Sequence, residues 1–185
     1  MASQKILMKV GKIVFYLFVA LCLGGCVTYF GYDGPYEGKV IDPETNQPIE
    51  GAVVHGTWVK SHPGPGGASS TYFDSREVLT DKEGRFKIDG VGLLILSNME
   101  EMEINIFKAG YTQIHGYWST LTQDVERPSG KATIKLHQMT LEERKKRNIY
   151  FPGMVPIKSI RLFTREYNKE TLELGYPTKM LLPEE

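Results

Sequence analysis

The sequence contains little cysteine, no excess of either charge and no apolar run long enough to span a membrane. Its 185 residues include two cysteines, and 22 Lys and Arg residues balance 22 Asp and Glu residues. A formal charge of zero argues against a nucleic-acid partner, because phosphate contacts need a basic excess. With 24% charged residues, 19 glycines and 10 prolines, the chain is neither a charged disordered tail nor a collagen-like repeat. We expect one folded domain of ordinary size.

The sequence also lacks the motifs of familiar catalytic and metal sites. None of its histidines begins an H-x-x-E or H-E-x-x-H zinc motif, and there is no G-x-S-x-G elbow and no Walker loop. The histidines are His55, His62, His115 and His137. Asp81, Glu83 and Asp89 lie close together but without D-x-D-x-D spacing, so solvated carboxylates in a turn are favoured over a calcium site. We expect no catalytic residue, no metal ligand and no cofactor.

The first 25 residues differ from the rest of the chain. Lys5, Lys9 and Lys12 make this segment positive, it contains no acid, and an apolar run of 11 residues spans 13–23. Such a run is too short for a transmembrane helix, which needs about 20 residues to cross about 30 Å of hydrocarbon. A positive segment before a short apolar core is typical of a secretory signal peptide, which we assign to residues 1–25.

The end of this segment, Leu23-Gly24-Gly25-Cys26, resembles the lipobox of bacterial lipoproteins. Small residues let an extended chain enter a peptidase cleft, and a thiol is the nucleophile that accepts diacylglycerol. The resemblance implies cleavage before Cys26 and lipidation of its sulfur. An uncleaved N-terminal anchor and a buried helix with an incidental cysteine are the alternatives. The mature chain would have 160 residues, with 19 basic and 22 acidic side chains and a formal charge of −3.

The residues after the cysteine indicate a location in the cell envelope. By the sorting rule of lipoproteins, an aspartate after the lipidated cysteine retains the protein in the inner membrane, and here Val27 holds that place. We therefore expect the outer membrane, facing the periplasm or the cell surface; in a bacterium with one membrane, the outer face of that membrane is expected. The tether, residues 26–35, is short and aromatic. About 10 extended residues reach roughly 35 Å, which keeps the domain near the bilayer.

From residue 36 onward the pattern changes to short strands and turns. Residues 51–60 alternate with apolar side chains on both faces, which predicts a central strand that is covered on both sides. Residues 61–70 are rich in glycine and proline and predict a loop. Seven or so short strands without intervening helices indicate a mainly β, antiparallel β-sandwich.

Three segments of this region carry a family resemblance. They contain G-x-V-x-D and P-I-x-G-A-x-V (Gly38–Val54), T-D-x-x-G-x-F (Thr80–Phe86) and the turn Lys108–Tyr111. In this order they resemble the carboxypeptidase regulatory-like domain, over residues 36–138. The resemblance implies a seven-stranded prealbumin-like (transthyretin-like) sandwich that serves as a non-catalytic folding, adhesion or binding module. It does not imply peptidase activity, and a fold alone does not carry a function.

The last segment, residues 139–185, predicts a short helical extension. Thr140 and Glu143 form a capping box that opens a first helix. A second helix is predicted from Pro156, with an apolar stripe that contains Ile160 and Phe163. We expect these helices to pack against the sandwich or a partner.

Two pairs of adjacent aromatic residues are the candidates for ligand binding: Tyr72 with Phe73, and Tyr117 with Trp118. Adjacent residues on a strand face opposite sides, so both members of a pair cannot enter one core. The leading hypothesis is a non-enzymatic, lipid-anchored envelope protein whose sandwich is a structural or protein-interaction module. The alternative is a module that binds envelope glycan or peptide through exposed aromatics. The expected partners are the membrane, through the lipid, and an envelope protein or glycan whose identity the sequence does not give.

Overall fold

A computed structural model describes residues 12, 14–16, 30–95, 97–122, 124–127, 131–153 and 155–177. Cys26 and the lipobox lie outside the described residues, so lipidation stays a prediction. Two compact units are present, one within Met1–Asp33 and Val91–Ser97, the other within Gly34–Gly90 and Asn98–Glu185. In the described ranges, no helix combines the length and the apolar character that crossing a membrane requires.

The smaller unit contains an antiparallel strand pair. Strand β1 (Phe30–Asp33) pairs with β6 (Gly92–Ile95). The carboxylate of Asp33 accepts a 2.8 Å hydrogen bond from the backbone N–H of Val91, next to the last rung of the pair. Part of the segment interpreted as a tether is therefore a strand.

The larger unit contains two four-stranded sheets. Sheet I has the order β5-β2-β10-β9, and sheet II has the order β4-β3-β7-β8. The strands of sheet I are β2 (Tyr36–Ile41), β5 (Arg85–Ile88), β9 (Val125–Glu126) and β10 (Ala132–Lys135). The strands of sheet II are β3 (Val53–Gly64), β4 (Gly67–Leu79), β7 (Glu103–Phe107) and β8 (Ile114–Tyr117). A 3-10 turn, Trp118–Thr120, follows β8.

The two sheets pack face to face around one apolar core. The ring of Tyr36 in sheet I lies 6.3 Å from the ring of Trp58 in sheet II. The buried side chains between the sheets include Val40, Val54, Ile88, Ile104, Ile106 and Ile134. The predicted mainly β sandwich with a helical extension is confirmed. In the residues that the structure describes, the two sheets together hold eight strands rather than the predicted seven. Strands β2 and β10 run parallel, a pairing that side-chain alternation alone does not specify.

The prediction of a loop at residues 61–70 is wrong. Strands β3 and β4 continue as a paired hairpin to Gly64 and Gly67, joined by a two-residue turn. In a two-stranded arm every second N–H points away from the partner strand, so Pro63 fits without breaking the ladder.

The C-terminal extension forms helices α1 (Leu141–Lys146) and α2 (Arg161–Glu173), with a 3-10 turn at Ile157–Ser159. The predicted capping box is present, since Thr140 N–H donates to Glu143 over 2.8 Å and Thr140 Oγ1 accepts from Glu143 N–H. Helix α2 packs on sheet II, where Ile160 and Phe163 join Val53 and Phe107 in a buried cluster. Strand β3 is therefore covered on both faces, as its alternation predicted.

Candidate functional site

The two residues of the predicted pair Tyr117/Trp118 lie in different surroundings: Trp118 is half-buried and Tyr117 is exposed. Trp118 packs edge-on against the buried rings of Tyr36 and Phe86, at centroid distances of 5.4 and 6.3 Å. Tyr117 is 45% exposed, and its hydroxyl donates to Glu100 over 3.5 Å. Burial, together with the negative charge of Glu100, raises the pKa of Tyr117. Tyr117 is therefore the more exposed ring of this pair.

The predicted pair Tyr72/Phe73 lies on the edge strand β4. The hydroxyl of Tyr72 is 3.0 Å from Ser75 Oγ, and the ring is half-buried. Phe73 is 40% exposed and sits at a register shift opposite Trp58 and Val59. The ammonium of Lys60 lies 4.2 Å above its centroid, so a cation–π contact already occupies one face of this ring.

The four predicted aromatics do not form one platform. The exposed rings of Phe73 and Tyr117 belong to β4 and β8, the two edge strands of sheet II, and β3 and β7 lie between these strands. Trp118 is half-buried and packs on the buried ring of Tyr36 in sheet I.

Sheet II brings together polar residues that the sequence pattern did not connect. Glu77, His55, Asn105 and His115 are register partners across all four strands. We call this line of residues the polar row. It lies on the side of β3 that carries Val53, which α2 and the extension cover. His55 and His115 are far apart in the sequence, and a linear sequence does not show which residues become cross-strand neighbours.

At the centre of the polar row lies His55, which is only 1% exposed. Its Nδ1 is 3.3 Å from Thr57 Oγ1, and its Nε2 has no hydrogen-bond partner within the described residues. Burial lowers the pKa of His55 to about 4, so the imidazole is neutral at physiological pH.

At one end of the polar row, Glu77 holds the start of helix α2. Its two carboxylate oxygens accept hydrogen bonds from the backbone N–H groups of Leu162 (2.8 Å) and Phe163 (2.9 Å). The first N–H groups of a helix have no intrahelical partner, and a carboxylate suits the positive end of the helix dipole. Burial raises the pKa of Glu77, and these hydrogen bonds partly oppose the shift.

At the other end of the polar row, Tyr150 closes over sheet II. Its ring stacks on His115 at 4.2 Å with an interplanar angle of 8°, and its hydroxyl donates to Glu103 over 3.0 Å. Its backbone carbonyl accepts from Asn105 (3.0 Å) and Gln113 (2.8 Å). The polar side chains of this end therefore fix the segment between α1 and α2.

A second polar cluster fastens helices α1 and α2 to the turn after β7. Glu170 is fully buried and accepts hydrogen bonds from Arg144, Arg147 and the backbone N–H of Gly110. Burial alone would raise the pKa of Glu170, but the hydrogen bonds from Arg144 and Gly110 and the charge of Arg147 lower it. In the polar row and in the Glu170 cluster, the ionisable and polar side chains mainly join the C-terminal extension to the sandwich.

Neither polar cluster is arranged as a metal site. In the ranges that the structure describes, no three His, Cys, Asp or Glu side chains are placed to hold a metal ion. Thr57 and His55 form a hydroxyl–imidazole pair, but both are buried beneath the extension. In this conformation the pair is closed to a substrate from solution.

Comparisons with known proteins identify no family for this chain. A scan against family models found no match, and a search of curated proteins found none. A pilus adhesin from Streptococcus pneumoniae is similar in structure at 17% identity and TM-score 0.37, over 59% of this chain and 15% of that one. A streptococcal ancillary pilin is similar at 15% identity and TM-score 0.34, over 58% and 30%. A 3-chlorocatechol 1,2-dioxygenase from Rhodococcus opacus is similar at 14% identity and TM-score 0.31, over 57% and 60%. The chain thus spans between 15% and 60% of the length of these proteins, and TM-scores this low carry no argument about its function.

Proposed function

We propose that this chain is a non-enzymatic, lipid-anchored protein of the bacterial cell envelope, whose sandwich acts as a structural or protein-interaction module. The observation that carries the proposal is the sequence Leu23-Gly24-Gly25-Cys26, whose leucine is the last residue of an apolar run of 11 that follows a positive segment. Charge, core length and the small residues before the cysteine agree in position. By the sorting rule the anchor belongs in the outer membrane.

The geometry of the family motifs supports a role as a folding module. Thr80 Oγ1 donates to the carbonyl of Ile49 over 2.6 Å and accepts from the N–H of Ala52 over 2.8 Å. Lys108 Nζ donates to the carbonyl of Gly51 over 3.1 Å. All three motif segments therefore meet at one corner of the sandwich. The hydrogen bonds between these segments favour a structural role for these residues.

The turn motif T-D-x-x-G-x-F is likewise explained by folding. Asp81 accepts from the N–H groups of Glu83 (3.0 Å) and Arg85 (2.7 Å) through one carboxylate oxygen. Gly84 has φ of 72°, and a Cβ there would lie 2.4 Å from the carbonyl oxygen of Val40. The carboxylate of Asp81 organises a tight turn, which agrees with the resemblance to a regulatory-like domain.

Fatty-acid labelling of the full chain in a bacterial host tests the anchor. The Cys26→Ala variant should lose the label and leave the membrane fraction, or persist there only as the uncleaved precursor. The matched control is Cys22→Ala, which lies in the segment expected to be removed and should label like the parent chain. Equal labelling of the Cys26→Ala variant would refute the lipid anchor.

The alternative, a module for envelope glycan or peptide, is favoured by one observation: the exposed ring of Tyr117 beside the carboxylate of Glu100. An aromatic face with an adjacent acceptor suits a sugar ring. A glycan array with the parent chain, Tyr117→Ala and Tyr117→Phe tests it, the last variant retaining the ring. Binding that Tyr117→Ala loses and Tyr117→Phe keeps supports this function, whereas no binding by the parent chain contradicts it.

A further inference from the structure

A basic groove on sheet I is separate from all the sites described above. Three cations, Lys39, Arg85 and Lys131, line a cavity of about 390 Å³, whose remaining lining includes backbone of Gly38 and Ala132. We propose that this basic groove binds an anion that carries a phosphate group. The proposal goes beyond the lipid anchor and does not depend on Cys26.

The register of sheet I places two of the cations directly opposite each other. Lys39 of β2 and Arg85 of β5 are Cα partners in the antiparallel ladder, so their side chains project from the same face. Like charges directly opposite each other destabilise a sheet. A bound anion would neutralise this repulsion, because it would lie between the two charges.

Two rungs along the same strand pair, the cross-strand partners on this face have opposite charges. Glu37 and Lys87 are also direct partners on this face, and Lys87 Nζ lies 3.1 Å from Glu37 Oε1. On this face the two strands therefore place a complementary pair at one rung and two cations two rungs away, with the rung of Gly38 and Phe86 between them. The pairing of two like charges therefore occurs at the groove and is not repeated at the Glu37/Lys87 rung.

The acids near the groove are engaged elsewhere. Glu37 lines the groove but pairs with Lys87, and Glu126, on the far side of Thr133, pairs with Lys135. Within the described ranges Lys39, Arg85 and Lys131 form no ion pair. Three uncompensated cations thus share one cavity in a chain whose formal charge is zero.

The donors present suit a phosphate group. The guanidinium of Arg85 offers a planar fork that matches two phosphate oxygens, and the ammonium groups of Lys39 and Lys131 add point charges. Thr133 adds a hydroxyl at the same cavity. Phosphate occurs both in lipid headgroups and as free phosphate or its esters, and the groove recognises the chemistry that these sources share.

Amine labelling of the full chain in neutral detergent tests the proposal. Inorganic phosphate should slow the modification of Lys39 and Lys131 in a saturable manner, as measured by mass spectrometry, while Lys169 on α2 serves as the control in the same molecule. The Arg85→Gln variant should raise the half-saturating phosphate concentration about tenfold, the loss expected for one charge-assisted contact. Lys169→Gln makes the same charge change away from the groove and should leave that concentration unchanged.

A second arm distinguishes the sources of phosphate. The full chain is reconstituted in vesicles of phosphatidylglycerol or of phosphatidylcholine, and the same lysines are labelled. Protection in phosphatidylglycerol alone assigns the groove to anionic lipid, and protection by inorganic phosphate alone assigns it to a soluble anion. The proposal is overturned if neither probe protects the two lysines saturably, or if Arg85→Gln and Lys169→Gln respond alike.

Discussion

The buried carboxylate of Glu170 binds the guanidinium of Arg144 through two hydrogen bonds, of 3.1 Å from Nε and 2.5 Å from Nη2. Arg147 approaches the same carboxylate to 2.6 Å. Helices α1 and α2 are too short to be stable in isolation. These contacts join them to each other and, through the N–H of Gly110, to the sandwich. Because the carboxylate is fully buried, these two guanidinium groups, rather than water, compensate its charge.

Replacing Glu170 by glutamine should destabilise the protein strongly. The substitution leaves two largely buried guanidinium groups without their counter-charge, and removing one partner of a buried ion pair costs about 3–5 kcal/mol. Urea unfolding measures the change in the free energy of unfolding. The matched control is Glu173→Gln, which removes a half-exposed partner of the same Arg144 and should cost less than about 1 kcal/mol. Equal losses in the two variants would contradict a special role for the buried carboxylate.

The lowered pKa of Glu170 predicts how the stability of the protein changes at acidic pH. Because the pKa of Glu170 is lowered in the folded state, the stabilisation that it provides is present above the unfolded pKa, near 4.5, and is lost as the pH falls through the folded value. Urea unfolding of the parent chain and of Glu170→Gln below pH 5 should therefore converge. A gap that stays constant down to the folded pKa would show that the charge is not the stabilising feature.

His55 should make stability depend on pH in a higher window. Its folded pKa, about 4, lies below the ordinary value of 6.5, so the unfolded chain binds the proton more readily between these pH values. Neutral His55 makes its full contribution to the free energy of unfolding above pH 6.5. This free energy falls by about 3 kcal/mol as the pH approaches 4. The comparison with His55→Leu, which cannot titrate, isolates this residue from Glu77 and His137. A difference between the two proteins that does not change from pH 4 to 6.5 would contradict the prediction.

The contrast between these residues and the strand pattern indicates how far sequence reasoning reaches. Alternation in 51–60 correctly predicted a strand covered on both faces, because burial on each face is a local property of side-chain order. The polar row depends instead on which strands pair and in which register, and Glu77, His55, Asn105 and His115 are distant in sequence. Their relation follows from long-range pairing, which a single sequence does not display.

The aromatic pairs also show that local sequence order predicts some features and long-range contacts decide others. Adjacency correctly predicted that Tyr117 and Trp118 face different environments. It did not predict which of the two rings packs against the core, since this depends on Tyr36 and Phe86 of the opposite sheet. The hairpin at 61–70 was missed for another reason: composition marks its turn but does not reveal that the flanking residues still pair.

His137 should have a raised pKa that depends on Glu44. Its Nδ1 is 2.8 Å from Glu44 and its Nε2 is 3.2 Å from Asp124, and hydrogen bonds to these two carboxylates raise the pKa of the imidazole. A raised folded pKa stabilises the protein fully below pH 6.5, and this stabilisation is lost as the pH rises through the folded value. NMR titration should find the pKa of His137 above 6.5 in the parent chain and lower in Glu44→Gln. An unchanged pKa in that variant would remove Glu44 as a cause.

Gly84→Ala tests whether the turn motif is required for folding. The residue has φ of 72°, which costs a residue with a side chain about 1–3 kcal/mol. The new Cβ would also lie 2.4 Å from the backbone oxygen of Val40, which cannot move without disturbing β2. We therefore expect a loss of more than about 2 kcal/mol in the free energy of unfolding. Gly153→Ala is the control, because a Cβ there meets nothing within 4 Å and its φ is not in the left-handed region. Similar stabilities of the two variants would mean that the turn relaxes around the methyl group, and the motif would then need another explanation than folding.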